Sequence, residues 1–282
     1  MTGWRCVLCE RTRGVRLFAK GGWDFVRCAA CGMVSLDPLP SAADIAAHHE
    51  RSHRDGIYAA FAAAEDARRA VARRRLALLR PLAPPGPWLD VGCSTGAFVA
   101  AAVAAGLAAE GVELASAAVV EARARGLTVH HAPIEDFAPG RRWAVVTAFD
   151  VVEHLRDPVG FVRRAAGWLE PDGLLALTLP DAASPTARLM GRHWFYYAPP
   201  DHVHYFTPPT ARHLLETVGL RVTAVRRITK PLTLDYAFAQ LAQFNPRLGG
   251  VTRAVGRVLP QALRAREWPL PLGEMLALAR PA

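Results

Sequence analysis

Leu89-Asp90-Val91-Gly92-Cys93-Ser94-Thr95-Gly96 is the stretch that decides how this chain is read. Trp88 to Val91 reads as a short apolar strand, Gly92 to Gly96 as a tight turn, and Ala97 to Ala105 as an alanine-rich helix. A strand, a glycine turn and a helix N-terminus in that order bring free backbone N–H groups to one point, where main chain can approach a ligand closely. The turn lacks the Gly-x-Gly-x-x-Gly spacing of a nicotinamide dinucleotide site, and Asp90 inside the strand has no evident job in such a site.

The segments downstream of the turn strengthen its reading as a binding site. A second strand, Ala109 to Val112, ends at Glu113, about 21 residues after Gly92, where a carboxylate can accept hydrogen bonds from both hydroxyls of a ribose. A third strand, Thr128 to Ala132, runs into Pro133-Ile134-Glu135-Asp136, and a fourth, Trp143 to Ala148, into Phe149-Asp150-Val151-Val152-Glu153-His154. A fifth covers Leu174 to Leu179, then come a helix from Thr207 to Val218, a sixth strand Leu220 to Ile228 and a last strand Glu274 to Ala279. Strands alternating with helices predict a mostly parallel sheet with helices on both faces, an α/β fold. Each polar cluster falls at a strand's carboxyl end, the edge where open α/β sheets bind ligands.

With these motifs the chain resembles the class I S-adenosylmethionine-dependent methyltransferases over residues 88 to 281. The likeness rests on the segments 89–96, Gly-Val-Glu at 111–113, Val-Val-Glu-His-Leu-Arg-Asp-Pro at 151–158 and Leu-Glu-Pro-Asp-Gly-Leu-Leu at 169–175; Ser94 stands where the family often has a middle glycine. The resemblance implies a seven-stranded, mostly parallel Rossmann-like sheet whose seventh strand is reversed. It also implies that Asp90, Gly92 and Gly96 shape the methionine pocket, that Glu113 holds the ribose, and that Ile134 with Glu135 or Asp136 borders the adenine. Asp150 would lie beneath the sulfonium. Cys93 reads as a small packing residue.

Methyl transfer by in-line attack is mainly positioning, helped by a base where the nucleophile carries a proton. His154 is the first candidate base; His202 and His204 are the others, in the aromatic stretch that runs from His193 to Phe206 and suits a pocket wall or lid. Asp150, Glu153 and His154 also resemble an acidic patch that some quinone-pathway O-methyltransferases use with a divalent cation, although a helix-start carboxylate beside a structural histidine is simpler.

Upstream, Cys6, Cys9, Cys28 and Cys31 form two Cys-x-x-Cys pairs separated by 18 residues, the spacing of a zinc ribbon. Four thiolates make a closed, structural Zn(II) site with no position for substrate. Gly14 to Phe18 and Trp23 to Arg27 predict a hairpin turning at Gly21-Gly22. The expected organisation is a ribbon over 1–40, a helical connector over 41–87 and the α/β domain over 88–282, with 229–272 a cap insertion containing a helical piece at Leu234 to Phe244. Within the connector, Ser41 caps a helix over Ala42 to Glu50, and a second helix spans Tyr58 to Arg80, with Arg73-Arg74-Arg75 on a solvated face.

The chain has 282 residues, about half of them apolar, which excludes a disordered chain and a small disulfide-stapled one. Its net charge of +9 divides into +6 for residues 1–87, −1 for 88–228 and +4 for 229–282, so the body expected to hold a cationic methyl donor is its one acidic part. Zinc ligation would remove two further positive units from the first region. No nucleic-acid partner is required by such a distribution; the residual basic excess fits a small, for example phosphate-bearing, acceptor. A sugar nucleotide, another secondary metabolite or a carrier-bound intermediate would serve as that acceptor. An RNA base methyltransferase and a non-catalytic scaffold with a degenerate cofactor pocket are the rival readings. No signal sequence and no bilayer-length apolar run are visible, so a cytoplasmic protein is expected.

Overall fold

A computed structural model describes residues 4–41, 43–44, 65–244, 250 and 254–282. At the N-terminus, β1 (Gly14–Lys20) and β2 (Trp23–Cys28) form the expected hairpin about Gly21 and Gly22, and an unforeseen β3 (Val34–Asp37) pairs with β2. Ser41 is placed as a helix cap, its Oγ accepting from the Asp44 N–H at 3.1 Å while Asp44 accepts from the Ser41 N–H at 2.8 Å. Most of the helix expected over 42–50, and the first part of the one expected from 58, lie outside the described residues. The described part of the second helix is α1 (Glu65–Leu79).

The main domain continues as β4 (Trp88–Val91), α2 (Ala97–Ala104), β5 (Ala109–Glu113), α3 (Ser116–Ala124), β6 (Val129–His131) and β7 (Trp143–Phe149). A short 3-10 turn at Val152–His154 leads to α4 (Pro158–Gly167), β8 (Leu169–Pro180) and α5 (Pro185–Met190). Then come β9 (His204–Tyr205), α6 (Pro208–Thr217), β10 (Leu220–Thr233), α7 (Leu234–Phe244) and β11 (Glu267–Pro281).

The central sheet runs β10-β11-β8-β7-β4-β5-β6, parallel from β6 through β8, with β11 antiparallel to both neighbours. This is the seven-stranded sheet with one reversed strand that the sequence led us to expect. All seven residues of β7 are buried, as befits a central parallel strand covered on both faces. The chain leaves β4 toward β5 on one side and toward β7 on the other through β6, so the crevice at a topological switch point opens beside the end of β4. Local signals agree: Asp157 caps α4 by accepting from the Gly160 N–H at 2.8 Å, with Pro158 in the first turn, and Thr207 and Thr210 form a capping box before α6.

Three expectations need correction. β10 continues past Ile228 to Thr233 and β11 begins at Glu267, so the final hairpin is lengthened where residues 229–272 were expected to interrupt it. Pro231 faces Pro269 within this pairing, which the edge position of β10 tolerates. Second, the ribbon is more than the two-stranded hairpin expected: β3 pairs with β2 and with β9, giving a four-stranded sheet β1-β2-β3-β9 whose last strand comes from the main domain. Third, Arg75 is not on a solvated face, since its side chain is 13% exposed and reaches into the domain.

Candidate active site

The side of the crevice expected to hold the cofactor is built mostly from main chain. Gly92, with φ +70, turns the chain at the end of β4, and a Cβ there would lie 2.6 Å from Val151 Cγ2, so the position excludes any side chain. Ser94 also adopts a left-handed conformation, φ 50, where glycine would be free of strain; the serine keeps the close turn at a cost of about 1–2 kcal/mol. Gly96 precedes α2 at φ 78. Cys93 is buried, and its Sγ occupies the space a side chain on Gly111 would need, which supports its reading as a packing residue.

Glu113 stands at the carboxyl end of β5 and closes this loop: its carboxylate accepts from the Ser94 N–H and the Ala115 N–H, both at 2.8 Å. Asp90 is buried in β4 and accepts from Thr147 Oγ1 at 2.6 Å; burial pushes its carboxyl up to about 7, against the pull of that hydrogen bond and of Arg75. Ile134 packs half-buried beside the core, with Glu135 and Asp136 exposed after it in a turn closed by the Asp136 N–H to Pro133 O bond. These placements collect Asp90, Gly92, Gly96 and Glu113 along the ends of β4 and β5, with 134–136 beyond β6. The shape fits a nucleoside bearing a short charged tail: a backbone cradle that a Cβ would fill, and a carboxylate 19 residues away in sequence already turned onto it.

The other side of the crevice is crowded with charge. Asp150, at φ 56 beyond β7, accepts from Arg75 Nη2 at 2.7 Å and from Thr178 Oγ1 at 2.8 Å, with Lys230 Nζ 3.7 Å away. Burial disfavours its charge, but Arg75 and Lys230 outweigh burial and hold the carboxyl well below the carboxylate range. Arg75 also stacks over the Phe149 ring at 4.6 Å. Glu274, 2% exposed midway along β11, pairs with Lys230 and accepts from the Tyr196 hydroxyl. Sequence reasoning missed Arg75, Lys230, Tyr196 and Glu274, because each lies on a different element and no local spacing links them.

Next to this network sit Glu153, His154 and His202. Glu153 is fully buried and both carboxyl oxygens lack a hydrogen-bond partner among the described residues. Burial pushes it up to about 8, the His154 cation opposing and Asp150 adding to the rise. His154 Nδ1 lies 2.8 Å from the Asp201 main-chain oxygen and 3.3 Å from its carboxylate; burial works against protonation, but Asp201 outweighs it and holds the imidazole up at about 10. His202, its ring edge-on to His154 at 4.6 Å and stacked on Tyr196 at 5.7 Å, is pushed down to about 3 by burial and by the His154 cation. One ligand atom from each of the three lies within 4.8 Å of the others, room for a single small group or cation. Asp150 belongs to the Arg75 and Lys230 network instead, so the three groups that meet are Glu153, His154 and His202. His204 lies apart, its Nδ1 2.9 Å from Ser35 Oγ at the seam with the ribbon. Within the aromatic stretch Trp194, Tyr205 and Phe206 are packed core, at most 1% exposed, while Phe195, Tyr196 and Tyr197 are half-buried.

At the ribbon, the four cysteine sulfurs converge within 4.8 Å, with Cys6 to Cys31 at 3.4 Å and Cys9 to Cys28 at 3.5 Å. Such an all-thiolate set suits one tetrahedral soft cation and leaves no open position.

Residues 63–225 match a family model described as a methyltransferase domain. That is more than half of the chain. The chain belongs to the methyltransferase domain family. Ubiquinone biosynthesis O-methyltransferases of Haemophilus ducreyi and Bordetella bronchiseptica are 29% and 34% identical to it over 102 and 94 residues, 32% and 30% of this chain and 43% and 39% of theirs. The methyltransferase therefore spans less than half the length of these curated relatives. Among solved structures, S-adenosylmethionine-dependent methyltransferases from Thermotoga maritima and Archaeoglobus fulgidus superpose with a TM-score of 0.53 each at 17% and 18% identity. They cover 79% and 78% of this chain and 94% and 98% of theirs, which establishes the shared fold. Among the described residues no helix is long and apolar enough to cross a membrane.

Proposed function

We propose that the protein transfers a methyl group from S-adenosylmethionine to a small-molecule or carrier-bound acceptor, a sugar nucleotide or other secondary metabolite among them. When bound, the cofactor supplies an electrophilic methyl on a sulfonium that leaves to an in-line nucleophile. Glu113 is the ribose ligand, the Gly92–Gly96 main chain cradles the amino-acid end with Asp90 ordering the turn, and Ile134 with Glu135 or Asp136 flanks the base. Asp150 anchors the floor through Arg75 and Thr178 and adds a negative field beneath the transferred group. The single observation that carries this reading is the Glu113 carboxylate folded onto the Ser94 N–H across a turn that admits no side chain at Gly92.

The acceptor is held beside Glu153, His154 and His202. His154, kept protonated by Asp201, is suited to orient an anionic or developing oxyanionic group rather than to take a proton. His202 stays neutral and Glu153 has free oxygens, so the acceptor's proton passes to this pair, with Glu153 the better matched to neutral pH. His204 holds the wall and does not touch the reacting atoms. The curated O-methyltransferase relatives support a small hydroxylated acceptor. The four cysteines hold a structural Zn(II).

Incubating the protein with methyl-labelled S-adenosylmethionine and a panel of catechols, nucleotide sugars and hydroxylated metabolites tests the reading. Transfer to a member of the panel that falls at least tenfold in Glu153→Gln, with cofactor affinity unchanged, supports it. Labelling of RNA alone would contradict it.

A further inference from the structure

We propose that the four-cysteine module is the positioning element of the acceptor side: it holds Val203 and His204, and through them the Glu153 turn, while the cofactor loop keeps hydrogen bonds of its own. The inference rests on reading the 194–206 segment as the acceptor wall.

A ladder of hydrogen bonds runs from the module into the site. Cys28 ends β2, and its N–H bonds Met33 O at 2.8 Å, so the second cysteine knuckle leads directly into β3. From β3, the Leu36 N–H donates to Val203 O at 3.0 Å, and Ser35 Oγ lies 2.9 Å from His204 Nδ1. Val203 N–H then donates to Glu153 O at 2.9 Å, which places one strand of chain between the ribbon and the turn that carries Glu153 and His154. Further ties run beside it: Lys20 Nζ donates to Tyr197 O at 2.6 Å, and Arg156 donates to Pro40 O at 2.6 Å.

The packing is equally shared. Buried Phe25, Val34 and Leu36 of the ribbon form one apolar cluster with Val203 and Tyr205 of the main domain, with Phe18 and Tyr197 against it. Neither part completes this cluster alone. A two-residue β9 is too short to hold itself, so it depends on the register of β3, and that register depends on the knuckle that four thiolates close around one ion. The cofactor loop has its own supports: Gly92 and Cys93 N–H groups bond Val112 O, and Ser94 bonds Glu113.

Hydrogen exchange of the full chain, before and after zinc removal at neutral pH, tests this. Peptides covering 34–37, 202–206 and 151–155 should exchange at least tenfold faster together, while 88–96 and 109–113 change less than twofold and cofactor affinity stays within twofold. Protection retained at 202–206 while 34–37 opens would overturn the proposal, as would opening of all five segments at once. With zinc in place, Ser35→Ala should raise exchange at 202–206 several-fold and Ser35→Thr should restore it; unchanged exchange in Ser35→Ala would remove that hydrogen bond from the account. These readouts require no acceptor, so a failed methyl-transfer panel and a failed coupling are told apart.

Discussion

The two sides of the crevice are made differently. The side proposed for the cofactor is backbone: a turn with three left-handed residues, two of them glycines, supported by the Val112 carbonyl and closed by a single carboxylate. The side proposed for the acceptor is side chains, with Arg75, Lys230, Glu274, Tyr196, Glu153, His154 and His202 arriving from stretches far apart in the chain and Asp150 between the two sides. A backbone cradle recognises one cofactor with few residues that can vary. A side-chain cluster can be retuned for different acceptors, but it must be held in place by distant elements, and here an accessory module helps to do so.

That difference can be broken most severely at Arg75. Arg75→Met removes the partner bonded to Asp150 at 2.7 Å and leaves its half-buried carboxylate to Lys230 and the Thr178 hydroxyl; breaking a fully buried pair costs about 3–5 kcal/mol, and this one costs less because Asp150 is partly solvated and keeps both partners. A drop of several degrees in melting temperature with cofactor affinity retained would place the effect on the acceptor side. Gly92→Ala strikes the other half: the left-handed angle costs about 1–2 kcal/mol and the new Cβ collides with Val151, so calorimetry should show cofactor affinity lost by more than tenfold while the ribbon keeps its metal.

Acid should separate the halves as well. Burial holds His204 down at about 4 against the ordinary 6.5, so the unfolded chain binds the extra proton first; the ribbon seam loses stability as pH falls below 6.5, and the loss levels off below about 4. Glu65 behaves oppositely in window. Burial would raise it, but hydrogen bonds from Arg125, Arg68 and Arg69 hold it down at about 2, so its tie between α1 and α3 is intact above 4.5 and fails only as pH falls toward 2. Hydrogen exchange against pH should therefore loosen 202–206 before 65–79, and His204→Gln should shrink the earlier transition to the share that His202, pushed down to about 3 in the same segment, contributes. The smallest effect belongs to Ser94→Gly. Relief of about 1 kcal/mol of strain is offset by up to about 1 kcal/mol of added chain entropy, so chemical denaturation should move by less than 1 kcal/mol in either direction.

The cofactor half was legible because its residues are contiguous or separated by one strand and helix, distances over which periodicity and turn chemistry fix geometry. The turn at Gly92–Gly96 and the offset of Glu113 are readable from turn chemistry and spacing, whereas the part given to Asp90 comes from the resemblance to the methyltransferases. The acceptor half was legible only where it lay in one segment, as with Glu153 and His154. Arg75 hid within a run of three arginines, and only burial distinguishes it from Arg74. Lys230 and Glu274 meet because two proline-bearing stretches pair across the lengthened hairpin, a long-range register that local sequence does not encode. β3 and β9 are short strands whose pairing makes sense only once the ribbon is docked on the domain.

The central claim is that the turn at Gly92 and the carboxylate of Glu113 bind S-adenosylmethionine. Isothermal titration of the cofactor into the intact protein tests it most directly. One site per chain is expected, weakened about 10–100-fold in Glu113→Ala, the loss that follows when hydrogen bonds to a charged acceptor worth about 1.5–3 kcal/mol are removed. No heat of binding to the folded protein, or the same affinity in Glu113→Ala, would contradict it.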